Sequence, residues 1–295
     1  MIGGASLLSL LSLLSLLSAW VAAAFFVATT VAIGIAHAQA AAPSLQLARA
    51  DGSPAVVLLG EVHDNAAQHA LRLEAFRALL ASGARPALLM EQLDRERQGD
   101  IDRARAGAVR IDADTLIAAA AGSKQWNWAF YRPFIELALA HDLPLLAANV
   151  SRQDTQRVMT QGLAESGFDA KVPPEITQAH TAEIEASHCG MVNPAQAQRM
   201  AAAQIARDQF MARQVDANAA RGVVLLAGNG HVRIDTGVPR WLSAATRARS
   251  TAIGFLEEGD DASTTRYDRV ITTPRQPRED PCAAMHQAVP AETRS

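Results

Sequence analysis

Short all-apolar runs alternate with stretches of helical period along most of this chain. Ala55–Leu59 (Ala-Val-Val-Leu-Leu) is β-branched in its middle and bracketed by Pro54 and Gly60, which predicts a buried strand. Asp64 or Asn65 then caps a helix running to Leu80, with a broad apolar stripe through Ala70, Leu73, Phe76, Leu79 and Leu80, and Gly83 stops it. Ala87–Met90 is the second strand. A polar helix over 94–106 and a capped helix over 112–121 follow, and each ends at a glycine. Residues 127–141 form a further helix with Phe134, Leu137 and Ala138 inward, and Leu143–Ala148 is the third strand. Val223–Ala227, Thr251–Phe255 and Arg269–Thr273 are the later strands. Between the third and fourth lies a long polar helical stretch, 151–218, broken at Pro173-Pro174 and around Cys189-Gly190, which suggests an insertion acting as a lid or interface. The tail from Pro274 is proline-rich and expected to be irregular. Strand–helix alternation argues for an α/β fold, a mostly parallel sheet covered by helices on both faces, with a helical insertion.

The first 36 residues carry no charged side chain, and the run from Ala5 to Ala36 ends in Ala36-His37-Ala38-Gln39-Ala40. Small residues at that end predict a signal peptide, residues 1–38, cleaved after Ala38 or Ala40. The apolar run is also long enough to span a bilayer, so a retained anchor is the alternative. Either outcome places the rest outside the cytoplasm. Removal after Ala38 leaves residues 39–295, enough for one domain. The net charge of −3 gives no electrostatic case for nucleic acid. Two cysteines remain, Cys189 and Cys282, and in an oxidising compartment they are expected to pair.

The residues after each apolar strand change the picture most. Gly60-Glu61-Val62-His63 follows the first, Glu91-Gln92 the second, Asn149 the third, and Gly228-Asn229-Gly230-His231 the fourth. Ligands of open parallel sheets bind at the carboxyl ends of the strands. Any one of these residues alone would be read as a turn residue or a helix cap, and Asn149 is read that way. Two G-x-x-H turns with two carboxylates on one rim instead predict a functional pocket of Glu61, His63, Glu91 and His231. Two imidazoles with carboxylates suit zinc or another divalent metal ion that activates a water. Without metal, a carboxylate-held His63 serves as a general base. Of the other histidines, His69, His141 and His180 read as structural, and His188 reaches a ligand only if the insertion folds over the rim. Trp126, Trp128, Phe130 and Tyr131 form the one dense aromatic cluster, mostly helical core, although a tyrosine phenol can ligate iron.

At these positions the chain resembles the ChaN-like haem-binding uptake proteins. The resemblance rests on Leu58-Leu-Gly-Glu-Val-His-Asp64, Met90-Glu-Gln92, Trp128-Ala-Phe-Tyr-Arg-Pro133, His188-Cys-Gly190, Gly228-Asn-Gly-His231 and Asp280-Pro-Cys282. That family belongs to a wider group with the Tiki and TraB proteins and the erythromycin esterases. The resemblance implies an exported protein of haem or iron uptake, binding haem through a tyrosine and pairing two haems across a homodimer. Carried onto this sequence, it implies Tyr131 as iron ligand, with Arg132 as a propionate partner on charge grounds. No cysteine follows the apolar run, so the family's lipoprotein tether is not expected. The rival expectation is a metal-dependent hydrolase using Glu61, His63, Glu91 and His231. A third is a hydrolase scaffold retained only for protein interaction.

Overall fold

A computed structural model describes residues 45–107, 110–260, 264–280 and 282–283. The expected signal segment and its cleavage sites at Ala38 and Ala40 lie outside them. None of the helices among the described residues is long and apolar enough to cross a membrane.

Six strands form one sheet: β1 Val56–Leu59, β2 Ala87–Asp94, β3 Leu145–Asn149, β4 Val223–Leu226, β5 Ser250–Glu257 and β6 Arg269–Thr273. Their order is β3-β2-β4-β1-β5-β6, and every neighbouring pair is parallel. The chain lays β2 and β3 on one side, then returns to insert β4 between β1 and β2. The register sets the rim. Leu59 pairs with Leu226, and Leu226 with Met90, so β1 and β4 end level beside Met90, where β2 stops pairing with β4 and runs on to Asp94.

Side chains alternate along each strand, and the two faces bury separate cores. Val57, Leu59, Leu88, Met90 and Leu226 pack against α1 (Ala66–Ala81) and α4 (Trp128–Ala140), where Phe76 and Phe134 are fully buried. Val56, Leu58, Leu89 and Leu225 pack against Met211, Ala212 and Val215 of a 25-residue helix. Full burial of one such aliphatic or aromatic side chain contributes roughly 1.5–3 kcal/mol.

The long helix belongs to the segment between β3 and β4, which contains α5 (Arg152–Gln161), α6 (Pro174–Ser187) and α7 (Pro194–Asn218). Asn193 caps α7 by accepting from Gln196 N at 2.8 Å, and Pro194 occupies the first turn, where its missing N–H costs nothing. The segment is therefore part of the core, because Met211, Ala212 and Val215 of α7 pack against one face of the sheet. The expected helix over 94–106 starts later. Its first residues extend β2 to Asp94, a short 3-10 turn follows, and α2 spans Gln98–Arg105. The capped helix is α3, Ala113–Ala119, with Asp112 accepting from Thr115 N at 2.8 Å. Residues 274–280 are irregular, as expected. The disulfide between Cys189 and Cys282 is formed, tying this tail to the end of α6 across 93 residues of sequence.

Candidate functional site

The level ends of β1 and β4, next to the point where β2 leaves β4, place Glu61, Gly228 and Glu91 side by side. Asn229 N donates to Glu61 O at 3.0 Å and Gly228 N to Glu91 Oε2 at 2.7 Å, which stitches the three strand ends into one rim. β2 carries an irregularity here. Met90 faces Ala147 but Asp94 faces Asn149, so Glu91 lies in a bulge that re-aims its carboxylate. Gly228 has no room for a side chain, since a Cβ would sit 2.9 Å from His63 Cε1.

Two charged groups flank this rim, one on each face of the sheet. On the α1/α4 side Glu61 is buried and accepts from His63 Nδ1 at 2.7 Å. It also forms an ion pair with Arg72, fully buried on α1, and accepts from the Tyr131 hydroxyl. Burial lowers the Arg72 guanidinium to about 10, which leaves it charged at neutral pH. His69 donates from Nε2 to the His63 carbonyl at 3.0 Å, and burial pulls its imidazole down to about 4, so it is neutral. On the α7 side His231 lies between two carboxylates, with Nδ1 2.6 Å from Asp208 Oδ1 and Nε2 3.4 Å from Glu91 Oε1. Burial opposes its charge, but Glu91 and Asp208 outweigh it and raise His231 to about 10. Burial likewise opposes ionisation of Glu91, yet His231 above all holds it at about 2. His180 of α6 approaches the other Asp208 oxygen at 3.6 Å.

The four predicted residues thus meet on one rim. Glu61, His63 and His231, with His180 and Ile184 of α6 and Gly228, line a cleft of about 450 Å3. His63 is its most open imidazole, its side chain 50% exposed, with the Trp126 ring edge-on at 4.9 Å. A cleft of the same volume at the amino ends of the strands, between Arg49, Arg85 and Arg221, contains no carboxylate or imidazole.

The divalent-metal expectation needs correction. Among the described residues, no group of three or more His, Cys, Asp or Glu is disposed to hold an ion. The chemistry of the donors explains this. A protonated His231 has no lone pair to give, both of its nitrogens face carboxylates, and Glu61 is already neutralised by Arg72.

Tyr131, the expected iron ligand, is placed inside the core. Tyr131 is fully buried, its hydroxyl is committed to Glu61, and burial pushes its phenol above the ordinary range, so it is a neutral donor inside the core. Tyr267, the other tyrosine, is buried as well and its phenol is shifted the same way by burial. Arg132 lies on the surface, paired with Asp114.

Sequence reasoning missed Arg72 and Asp208. Both leave the same trace, a charged residue at a helical position whose neighbours one turn away are buried: Gln68 and Phe76 for Arg72, Ile205 and Ala212 for Asp208.

No curated protein matches this sequence. Among solved structures the chain is similar to ChaN of Campylobacter jejuni, described with cofacially bound haem, at 21% identity and TM-score 0.64, covering 74% of this chain and 87% of that one. An erythromycin esterase in its open conformation matches more loosely, at 13% identity and TM-score 0.42, covering 70% of this chain and 71% of that one. The likeness to the Campylobacter protein shows a common α/β fold. The family described as haem-binding uptake, Tiki superfamily, ChaN matches residues 30–242, a span that contains the rim and all three helices of the segment between β3 and β4, and the chain belongs to that family.

Proposed function

We propose that this protein binds haem outside the cytoplasm and acts in haem or iron uptake. The observation that carries the reading is the family match over residues 30–242. The Cys189–Cys282 bond supports export, because such bonds persist in oxidising compartments. The cofacial haem pair of the Campylobacter protein supports a homodimer here that brings two haems together. Titration of the purified protein with hemin tests this directly. Saturable binding with a Soret shift at micromolar protein is expected, with a shift to dimer in sedimentation as haem is added. Absence of any Soret shift discards the haem reading.

The Glu61–His63 pair favours a second reading, a hydrolase that works without metal. Glu61 accepts the Nδ1 proton, which leaves the Nε2 lone pair of His63 at the cleft. There it takes a proton from water attacking an ester or amide carbonyl and returns that proton to the departing alkoxide or amine as the tetrahedral intermediate collapses to acid and alcohol or amine, while Glu61 stabilises the imidazolium between the two transfers. Chelator-treated, haem-free protein assayed on a panel of carboxylic esters should show turnover that His63→Ala abolishes. No turnover on any ester removes this reading.

A further inference from the structure

The haem reading requires a group that holds the iron, and this inference rests on that reading. An axial imidazole has to meet three conditions. Its other nitrogen must be held, so that the tautomer and ring direction are fixed. Its free nitrogen must carry a lone pair. The ring must also stand in a cleft that can take a small molecule.

His63 meets all three. Its Nδ1 lies 2.7 Å from Glu61 Oε1, so the carboxylate holds that proton and the Nε2 lone pair is free. A carboxylate partner also makes an imidazole a stronger donor, which suits ferric iron. Half of the side chain is exposed. Gly228 presents only a hydrogen to the free edge of the ring, where a Cβ would lie 2.9 Å from Cε1 and 3.2 Å from Nε2. Two clefts meet at this imidazole, and His63 is the one residue they share. The first is the rim cleft of about 450 Å3, with Ile184 and Ser187 of α6 in its wall. The second, of about 390 Å3, is lined by Trp126 and Phe130. Each has the size of a small-molecule site, roughly 300–1,000 Å3. Its aromatic wall begins at the imidazole, because the Trp126 ring stands edge-on to His63 at 4.9 Å, and Phe130 is fixed by stacking on His69 at 4.3 Å. A broad flat ligand held at Nε2 can therefore extend from one cleft into the other.

The other histidines among the described residues fail. His231 is protonated between two carboxylates. His69 is buried, with Nε2 bonded to the His63 carbonyl and Nδ1 facing Arg72. His180 reaches the rim cleft, but its Nε2 is sealed from solvent, 3.6 Å from Asp208 Oδ2. His141 and His188 line neither cleft. An iron on His63 Nε2 would take the lone pair that the metal-free hydrolase needs, so the two readings compete for one atom.

We propose that His63 Nε2 is the axial ligand of ferric haem in this chain, with Trp126 and Phe130 flanking the macrocycle. The hemin titration decides it when run on wild type, His63→Ala, His63→Tyr and His188→Ala, each checked for fold by circular dichroism. Wild type should give a nitrogen-ligated ferric spectrum. His63→Ala should weaken binding by at least about tenfold, since losing the ligand itself costs no less than losing a residue that orients one. Added imidazole should restore the wild-type spectrum to that variant, which a folding defect would not permit. His63→Tyr should bind with a phenolate-type spectrum instead, and His188→Ala should match wild type. If wild type binds hemin with a phenolate-type spectrum, or if His63→Ala or His63→Tyr retains the wild-type affinity and spectrum, the ligand assignment is overturned while the haem reading stands. Loss of binding in His188→Ala with His63→Ala unaffected overturns it in the same way. If wild type does not bind hemin, both fall together.

Discussion

Asp208→Asn removes one of the two carboxylates that keep His231 charged, and its effect can be worked out from the geometry. Asp208 is fully buried and lies 2.6 Å from His231 Nδ1. The amide keeps an oxygen for that nitrogen but loses the charge, while Glu91 still faces Nε2 at 3.4 Å. The loss should be about 1.5–3 kcal/mol, the worth of a hydrogen bond to a charged group. That is below the roughly 3–5 kcal/mol for stripping a buried charge of its partner altogether. For a domain of this size it lowers the melting temperature by about 3–12 °C, at roughly 2–4 °C per kcal/mol. The pH dependence is the sharper signature. In the wild type His231 is raised to about 10 from an ordinary 6.5, so its contribution is complete below pH 6.5 and is lost as pH rises through about 10. In the variant the folded-state value is lower, so the decline, which starts near pH 6.5 in both proteins, is complete at a lower pH. The difference between the two proteins should be largest at pH 5–6.5 and close toward pH 10. Thermal melts of both proteins across that range provide the assay. A melting temperature unchanged at pH 6, or a difference that stays constant up to pH 10, refutes the placement of a charged His231 between two carboxylates.

Three further outcomes follow from the same geometry. Tyr131→Phe should fold, lose about 1.5–3 kcal/mol through the hydroxyl that donates to Glu61, and bind hemin as the wild type does, which a calorimetric melt and a titration check. Gly228→Ala should displace His63, whose Cε1 lies 2.9 Å from the new methyl position, and destabilise by about 1–3 kcal/mol; an unchanged His63 imidazole signal in NMR would contradict this. Cys282→Ser should cost about 2–5 kcal/mol in urea unfolding and expose one reactive thiol at Cys189 to labelling, whereas the unreduced wild type exposes none among its described cysteines.

Much of the rim was legible because its signals are local. A strand buried on both faces must be a continuous apolar run, so β1, β2 and β4 stand out, and the polar residues just after them fall at the ligand-binding edge. What pairs with those residues was not legible. Tyr131 meets Glu61 across 70 residues and Glu91 meets Gly228 across 137, and nothing local encodes either contact. Tyr131 reads as a ligand through the resemblance of the Trp128–Pro133 block. Its helix turns that phenol toward Glu61, where it completes a buried charge group. The metal reading failed for a related cause. His231 looks like a donor until α7 brings Asp208 to its far nitrogen and fixes it as a cation. Strand order was hidden too, since insertion of β4 between β1 and β2 depends on where a long helical return lands.

The bond from Cys189 to Cys282 closes a covalent ring that contains α7, β4, β5 and β6. β4 lies between β1 and β2, so the ring passes through the middle of the sheet rather than along its margin. A single protease cut anywhere within that loop therefore yields two pieces that stay joined. A nicked chain should migrate as an intact one until a reductant is added. That linkage keeps α7, whose Gln204 lines the cleft and whose Asp208 holds His231, attached to β4 and the turn after it that carries His231.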